Sequence, residues 1–167
     1  MNFEWDEYGN PSPYDFIDAT LEEMYQQFVS PFPNSKTREP IWEGFNAFLS
    51  DYSRKISKHL ELWVDGSFIT TKLNPADIDV AVIHAFTDKA NRAMARMDQL
   101  HLDSLSGSKA KYRTDAYLFP IYPEADSRFS EANRKHALAK QIEIKGQFSF
   151  DRDNRPKGII RLSLNSI

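Results

Sequence analysis

The chain contains no cysteine. Disulfides and thiolate zinc centres are thereby excluded, and the sequence carries no marker of a redox compartment. A surplus of positive charge is also missing: 21 Lys and Arg stand against 24 Asp and Glu, a formal net charge of −3. Tight, sequence-blind nucleic-acid binders are normally basic, so this balance argues against one while leaving room for a local basic patch. No apolar run approaches the ~20 residues that a bilayer-spanning helix needs. The opening, Met1-Asn2-Phe3-Glu4-Trp5-Asp6-Glu7, is acidic and has neither a basic start nor an apolar core. A signal peptide is therefore not expected, and the cytoplasm is the expected location. Repeats and low-complexity tracts are absent as well. What is there is globular in composition: 167 residues, 41% hydrophobic and 27% charged. That length predicts a single domain over residues 1–167 around one core.

Residues 1–17 are rich in glycine, proline and aromatic rings (Tyr8, Pro11, Pro13, Tyr14, Phe16) and predict an irregular arm pinned by its rings. Thr20-Leu21-Glu22-Glu23 is a capping box, and Leu21, Met24, Tyr25 and Phe28 follow at helical spacing, so a helix is expected from about 20 to 29. Pro31 and Pro33 stop it. A second helix is expected to begin near Ser35 to Pro40, with Trp42, Phe45, Phe48/Leu49, Tyr52 and Ile56 as its inward stripe. Glu61 to Asp65 reads as a short strand ending at a Gly-Ser turn, and Thr70 to Ala76 as a polar loop. Asp77 to Ile83 is the clearest strand in the chain. A third helix is expected after Thr87, with Ala90, Ala93, Met94 and Met97 inward, then a loop from Ser104 to Lys111. Thr114 to Ile121 reads as a strand, with Pro120 placing it near an edge. Asp126 to Lys145 reads as a helix with Gly146 as its C-cap, and residues 148–164 as a closing hairpin. This order predicts an α+β class, α/β-like, with a small mixed β-sheet flanked by helices.

Strand residues two apart share a face. Asp77 and Asp79 therefore project together, while Ile78, Val80 and Val82 project opposite them into the core. Two carboxylates on one face repel unless a cation lies between them. Hard divalent ions such as Mg²⁺ take oxygen ligands, commonly one or two carboxylates plus substrate phosphates. Asp115 begins the later strand and is the candidate third carboxylate of a two-metal phosphoryl-transfer arrangement. Upstream, Gly66 lets backbone approach a phosphate and Ser67 adds a hydroxyl.

The run VDGSFITTKLNPADIDVAVI resembles the Gly-Ser, spacer, Asp-x-Asp signature of the DNA polymerase β-like nucleotidyltransferase superfamily. With ATLEEMYQQFV, WVDGSF, NPADIDV and DRDNRPKGIIRLSL, most of the chain resembles small bacterial and phage-associated proteins of that fold. The resemblance implies that Asp77, Asp79 and Asp115 bind Mg²⁺ or Mn²⁺, and that Gly66 and Ser67 hold the triphosphate of an NTP, with ATP the first choice. Minimal members carry an arginine three residues after the serine; here that position is Thr70, and Lys72 is the nearest cation, so Lys72 is taken as the phosphate-binding charge. The implied reaction is NMP transfer to a protein or RNA hydroxyl, in a toxin–antitoxin or phage-defence setting. The alternative is a nucleotidyltransferase-fold protein with little catalysis that binds a partner, such as a toxin or defence protein.

Other charged groups carry weaker expectations. Asp65, directly before the Gly-Ser turn, reads as a turn cap and stands outside the catalytic set. Gly107-Ser108-Lys109 reads as a plain loop rather than a phosphate cradle. Lys109, Lys111 and Arg113 fit either phosphate neutralisation or a solvated basic edge. Arg152, Arg155 and Lys157 read as a charged turn, with contact to nucleic acid as the alternative. The four histidines show no metal spacing.

Overall fold

Thr20 starts the first helix as its spacing to Glu23 requires. Its hydroxyl accepts the Glu23 N–H at 3.1 Å, and the Glu23 carboxylate accepts the Thr20 N–H at 2.8 Å. In the computed structural model, which describes residues 1, 3–56, 58–85, 107–122 and 130–164, this helix is α1, Leu21–Phe28. The second, α2, runs Arg38–Lys55 with Pro40 in its first turn, where a missing N–H costs nothing. Ile41, Phe45, Phe48, Leu49, Tyr52 and Ile56 are buried, while Trp42 packs at the margin.

The strands are β1 (Glu4–Trp5), β2 (Pro11–Ser12), β3 (Phe16–Ala19), β4 (Leu60–Asp65), β5 (Ile78–Ala85), β6 (Thr114–Ile121) and β7 (Ile159–Leu164). β1 and β2 form a small antiparallel pair, and the other five form one sheet in the order β3-β7-β4-β5-β6. β4 runs antiparallel to β5 and β7, whereas β5–β6 and β3–β7 are parallel, so the sheet is mixed. β6 lies at an edge, as Pro120 within it suggested. Alternation then sorts the side chains. Leu62, Val64, Ile78, Val80, Val82 and Ala116 face α1 and α2 in the larger apolar cluster. Trp63, Ala81 and Ile83 face the opposite way and pack with Ile144 and Phe148 of the last helix. The class is thus α+β, with helices on both faces of the sheet.

Three local expectations need correction. The segment 1–17 is not irregular throughout: it contributes the β1–β2 pair, and β3 joins the main sheet beside β7. Residues 148–164 form no hairpin of two strands. Phe148 closes the last helix, a single Phe150–Pro156 bridge follows, and β7 inserts between β3 and β4. Ile159, Ile160 and Leu162 are all buried, and residues one apart can both be buried only in an inner strand covered on both faces. The last helix spans Glu131–Phe148, with Ser130 as its cap, and passes through Gly146. An exposed helical glycine costs about 1 kcal/mol. The burial of Ile144 and Phe148 on the inward side offsets that cost.

A short helix, Ser108–Tyr112, stands where a loop was expected. It is α3 here, and Glu131–Phe148 is α4. The expected helix after Thr87 lies outside the described residues. Among the described residues no helix is long and apolar enough to cross a membrane.

Candidate metal and phosphate site

Register builds the site. Asp65, the last residue of β4, pairs with Asp79 of β5, and Asp79 pairs in turn with Asp115 of β6. Registered partners on neighbouring strands point to the same side of a sheet. The three carboxylates therefore form one row across adjacent strands, and Asp77, two residues before Asp79, extends it along the chain. The row lies on the face that carries Trp63, Ala81 and Ile83.

Gly66 makes the row possible. Its φ of 82° and ψ of −169° lie in a region essentially reserved for glycine. A Cβ there would stand 1.8 Å from Oδ2 of Asp79, so the Asp79 carboxylate occupies the space a side chain would fill. Ser67 then opens a 3-10 turn, Ser67–Ile69, whose Phe68 and Ile69 are buried. Behind the turn sits Arg38, the first residue of α2, only 1% exposed. Its guanidinium donates to the carbonyls of Phe28 (2.5 Å), Phe68 (2.7 Å), Thr70 (2.7 Å) and Lys72 (2.6 Å). It also lies 3.8 Å from the centre of the Phe32 ring. Burial pushes it down to about 10, still far above neutrality, so it remains a cation. Arg38 fixes the backbone of the turn and loop by carbonyl capture, a role its position in the sequence gave no sign of.

The electrostatics follow from burial and crowding. Burial first, then the charges of Asp77, Asp65 and Asp115, push Asp79 up to about 6 against the pull of Lys109. Asp65 is also raised by burial, opposed by Lys157, whose Nζ lies 2.8 Å from Oδ1 with both side chains nearly inaccessible. That contact is close but poorly angled, so Oδ1 has a charge partner and no well-directed hydrogen bond. Lys109 of α3 bridges Asp77 at 2.5 Å and Asp115 at 3.0 Å, and those hydrogen bonds hold its ammonium well above the ordinary lysine value. The Tyr117 phenol on the same strand as Asp115 is raised by burial, then by Asp115 and Asp79.

Register thus sets Asp79 beside Asp115, with Asp77 two residues before Asp79 and the Gly66-Ser67 turn against the Asp79 carboxylate. Lys72 lies exposed on the loop after the turn, and its carbonyl accepts from Arg38 at 2.6 Å. Ser108 is buried, donating to the Thr114 carbonyl at 2.7 Å, so the 107–109 segment is a structural bracket and not a phosphate cradle. Asp65, read from the sequence as a turn cap, and Lys157, read as part of a charged turn, both belong to the buried electrostatics of the row. A signal for Asp65 did exist, since it ends the strand next to the one bearing Asp79. For Lys157 there was none.

The donor set is all carboxylate oxygen, which suits a hard divalent ion. Among the described residues no three acidic or histidine side chains already close on a common point. Instead the Lys109 ammonium stands between Asp77 and Asp115 as a cation in kind. A cation is therefore compatible with the position, and the Gly66 cradle leaves Asp79 room beside it. The sequence profile of a family of unknown function, DUF6932, matches residues 3–163, and the chain belongs to that family. No curated protein and no solved structure matches it.

Proposed function

We propose that this DUF6932 protein is a divalent-metal-dependent nucleotidyltransferase, moving an NMP from an NTP, ATP foremost, to a hydroxyl on protein or RNA with release of pyrophosphate. The observation that carries this reading is the in-register row Asp65–Asp79–Asp115, with Asp77 beside it and the Gly66 turn against Asp79. Asp77, Asp79 and Asp115 are the residues that would hold Mg²⁺ or Mn²⁺. Such an ion, when bound, neutralises phosphate charge and orients the transferred group. The chain's own residues do the positioning. Gly66 leaves room for the Asp79 carboxylate against the turn, Ser67 offers a hydroxyl beside it, and Arg38 holds the loop rigid from behind. Asp115, on edge strand β6, is assigned to the acceptor side. Isothermal titration with Mg²⁺ and each NTP, on wild type and on Asp77→Ala/Asp79→Ala, tests the reading. Absence of NTP binding in wild type refutes it; binding that survives the double substitution refutes the residue assignment.

One observation favours a second reading, a partner-binding module with little catalysis. The carboxylates already carry internal counter-charges, Lys109 on Asp77 and Asp115, and Lys157 on Asp65. Under this reading the protein copurifies with one partner from its native host and labels no macromolecule with any α-³²P NTP. A labelled product counts against it.

A further inference from the structure

We propose that Lys109 is a built-in competitor for the divalent cation, holding the gap between Asp77 and Asp115 until metal and nucleotide together displace its ammonium onto the phosphates. This rests on the metal-site reading above and concerns the regulation of that site.

The root of Lys109 is fixed. Gly44 of α2 lies so close to α3 that a Cβ there would stand 2.1 Å from the Tyr112 carbonyl oxygen. Asp51 of α2 accepts from the Tyr112 hydroxyl at 2.5 Å and from Lys111 at 3.3 Å. Ser108 ties the other end of α3 to Thr114, and the Ile78 N–H donates to the Arg113 carbonyl at 3.1 Å, joining the helix end to the strand of the acidic row. Only the side chain is free to move, and it is 56% exposed. A flexible four-carbon stem with a compact charge can leave one anion for another at little cost.

Its present partners are Asp77 and Asp115, while Asp79, which stands between Asp65 and Asp115 in the row, receives only its longer-range field. A divalent ion seated on Asp77, Asp79 and Asp115 cannot share that space with an ammonium. Like charge would favour release of the lysine, and a nucleotide bound together with the ion would offer its ammonium phosphate oxygens instead. Lys109 thus opposes metal binding alone and favours metal with nucleotide.

The test measures Mn²⁺ affinity by the electron paramagnetic resonance signal of free Mn²⁺. It uses wild type, Lys109→Met, Lys109→Gln and Lys109→Arg, without nucleotide and with a nonhydrolysable ATP analogue. An opposite charge this close changes a carboxylate's affinity for a further cation by roughly tenfold or more. Removing it should tighten Mn²⁺ binding alone by about tenfold or more in Lys109→Met and Lys109→Gln, with Lys109→Arg near wild type. With Mn²⁺ saturating, the same two variants should bind the analogue about tenfold more weakly, by the same charge argument. A purely structural ion pair moves neither affinity in this crossed manner. Unchanged or weaker Mn²⁺ affinity in both neutral variants, or analogue affinity that does not fall, overturns the proposal and leaves the metal site standing. No Mn²⁺ binding by any of the four proteins overturns both.

Discussion

Replacing Gly66 with alanine probes the contact on which the acidic row depends. Two costs are separable. The first is backbone: φ of 82° with ψ of −169° is a conformation that costs a non-glycine residue about 1–3 kcal/mol. The second is steric. The new Cβ would stand 1.8 Å from Oδ2, 2.9 Å from Cγ and 3.3 Å from Cβ of Asp79. Asp79 must then swing away, at a cost in the range of about 1–3 kcal/mol typical of overpacking. Asp79→Ala removes the two worst contacts and leaves only the 3.3 Å one, which a shift of a few tenths of an ångström relieves. Gly66→Ala should therefore cost about 2–6 kcal/mol in wild type and about 1–3 kcal/mol less when Asp79 is alanine. Urea unfolding of the four proteins in the cycle, with unchanged m-values, measures the coupling. Equal cost in both backgrounds, within about 0.5 kcal/mol, would show that the Asp79 carboxylate does not rest against Gly66 and would remove the geometric basis of the site.

Stability should fall as pH rises from about 4 to 7. The folded-state value of Asp79 lies above the ordinary 3.8, at about 6, so the neutral form is favoured in the fold. Its contribution is complete below the unfolded value and is lost as pH passes through about 6. The rise is worth about 3 kcal/mol as an order of magnitude, with Asp65 acting in the same direction; Asp79→Asn should flatten the slope measured by urea unfolding, and an unaltered slope refutes the assignment. Mn²⁺ affinity should weaken as pH drops below about 6, because a protonated Asp79 is a poor ligand; a pH-independent affinity from 5 to 7 would mean that Asp79 does not bind the ion. Lys157→Met strands Asp65 without its counter-charge and should destabilise the fold by about 3–5 kcal/mol at pH 7; Asp65→Asn in the same chain should restore much of the loss, and no recovery refutes the pairing. Arg38→Met leaves the carbonyls of Phe28, Phe68, Thr70 and Lys72 without their donor, each at about 1–3 kcal/mol, so the loop from Ser67 to Lys72 should lose hydrogen-exchange protection before the sheet does.

Local elements were legible wherever the signal fits inside one turn or one strand. The Thr20 box, the stripe from Phe45 to Ile56 and the alternation of Ile78, Val80 and Val82 each encode their own conformation. All three hold in the fold. The pairing of Asp77 with Asp79 on one face is likewise a property of a single strand, and Gly66 before Ser67 marks its own turn. Register and burial are different in kind. That Asp65 and Asp115 flank Asp79 depends on how β4 and β6 align with β5, and a slip of one residue would turn either carboxylate to the opposite face. That Arg38 and Lys157 are buried cations, and that Lys109 bridges two carboxylates, depends on segments distant in the chain closing around them. The run GIIRLSL looked like half of a hairpin because its length and apolar content suit either an outer or an inner strand. Only its neighbours on both sides, β3 and β4, make it an inner strand of the sheet. The residue types that could carry phosphoryl-transfer chemistry are thus written into short stretches of the chain. Their number, their counter-charges and the cradle that seats Asp79 arise from long-range packing, which no single stretch encodes.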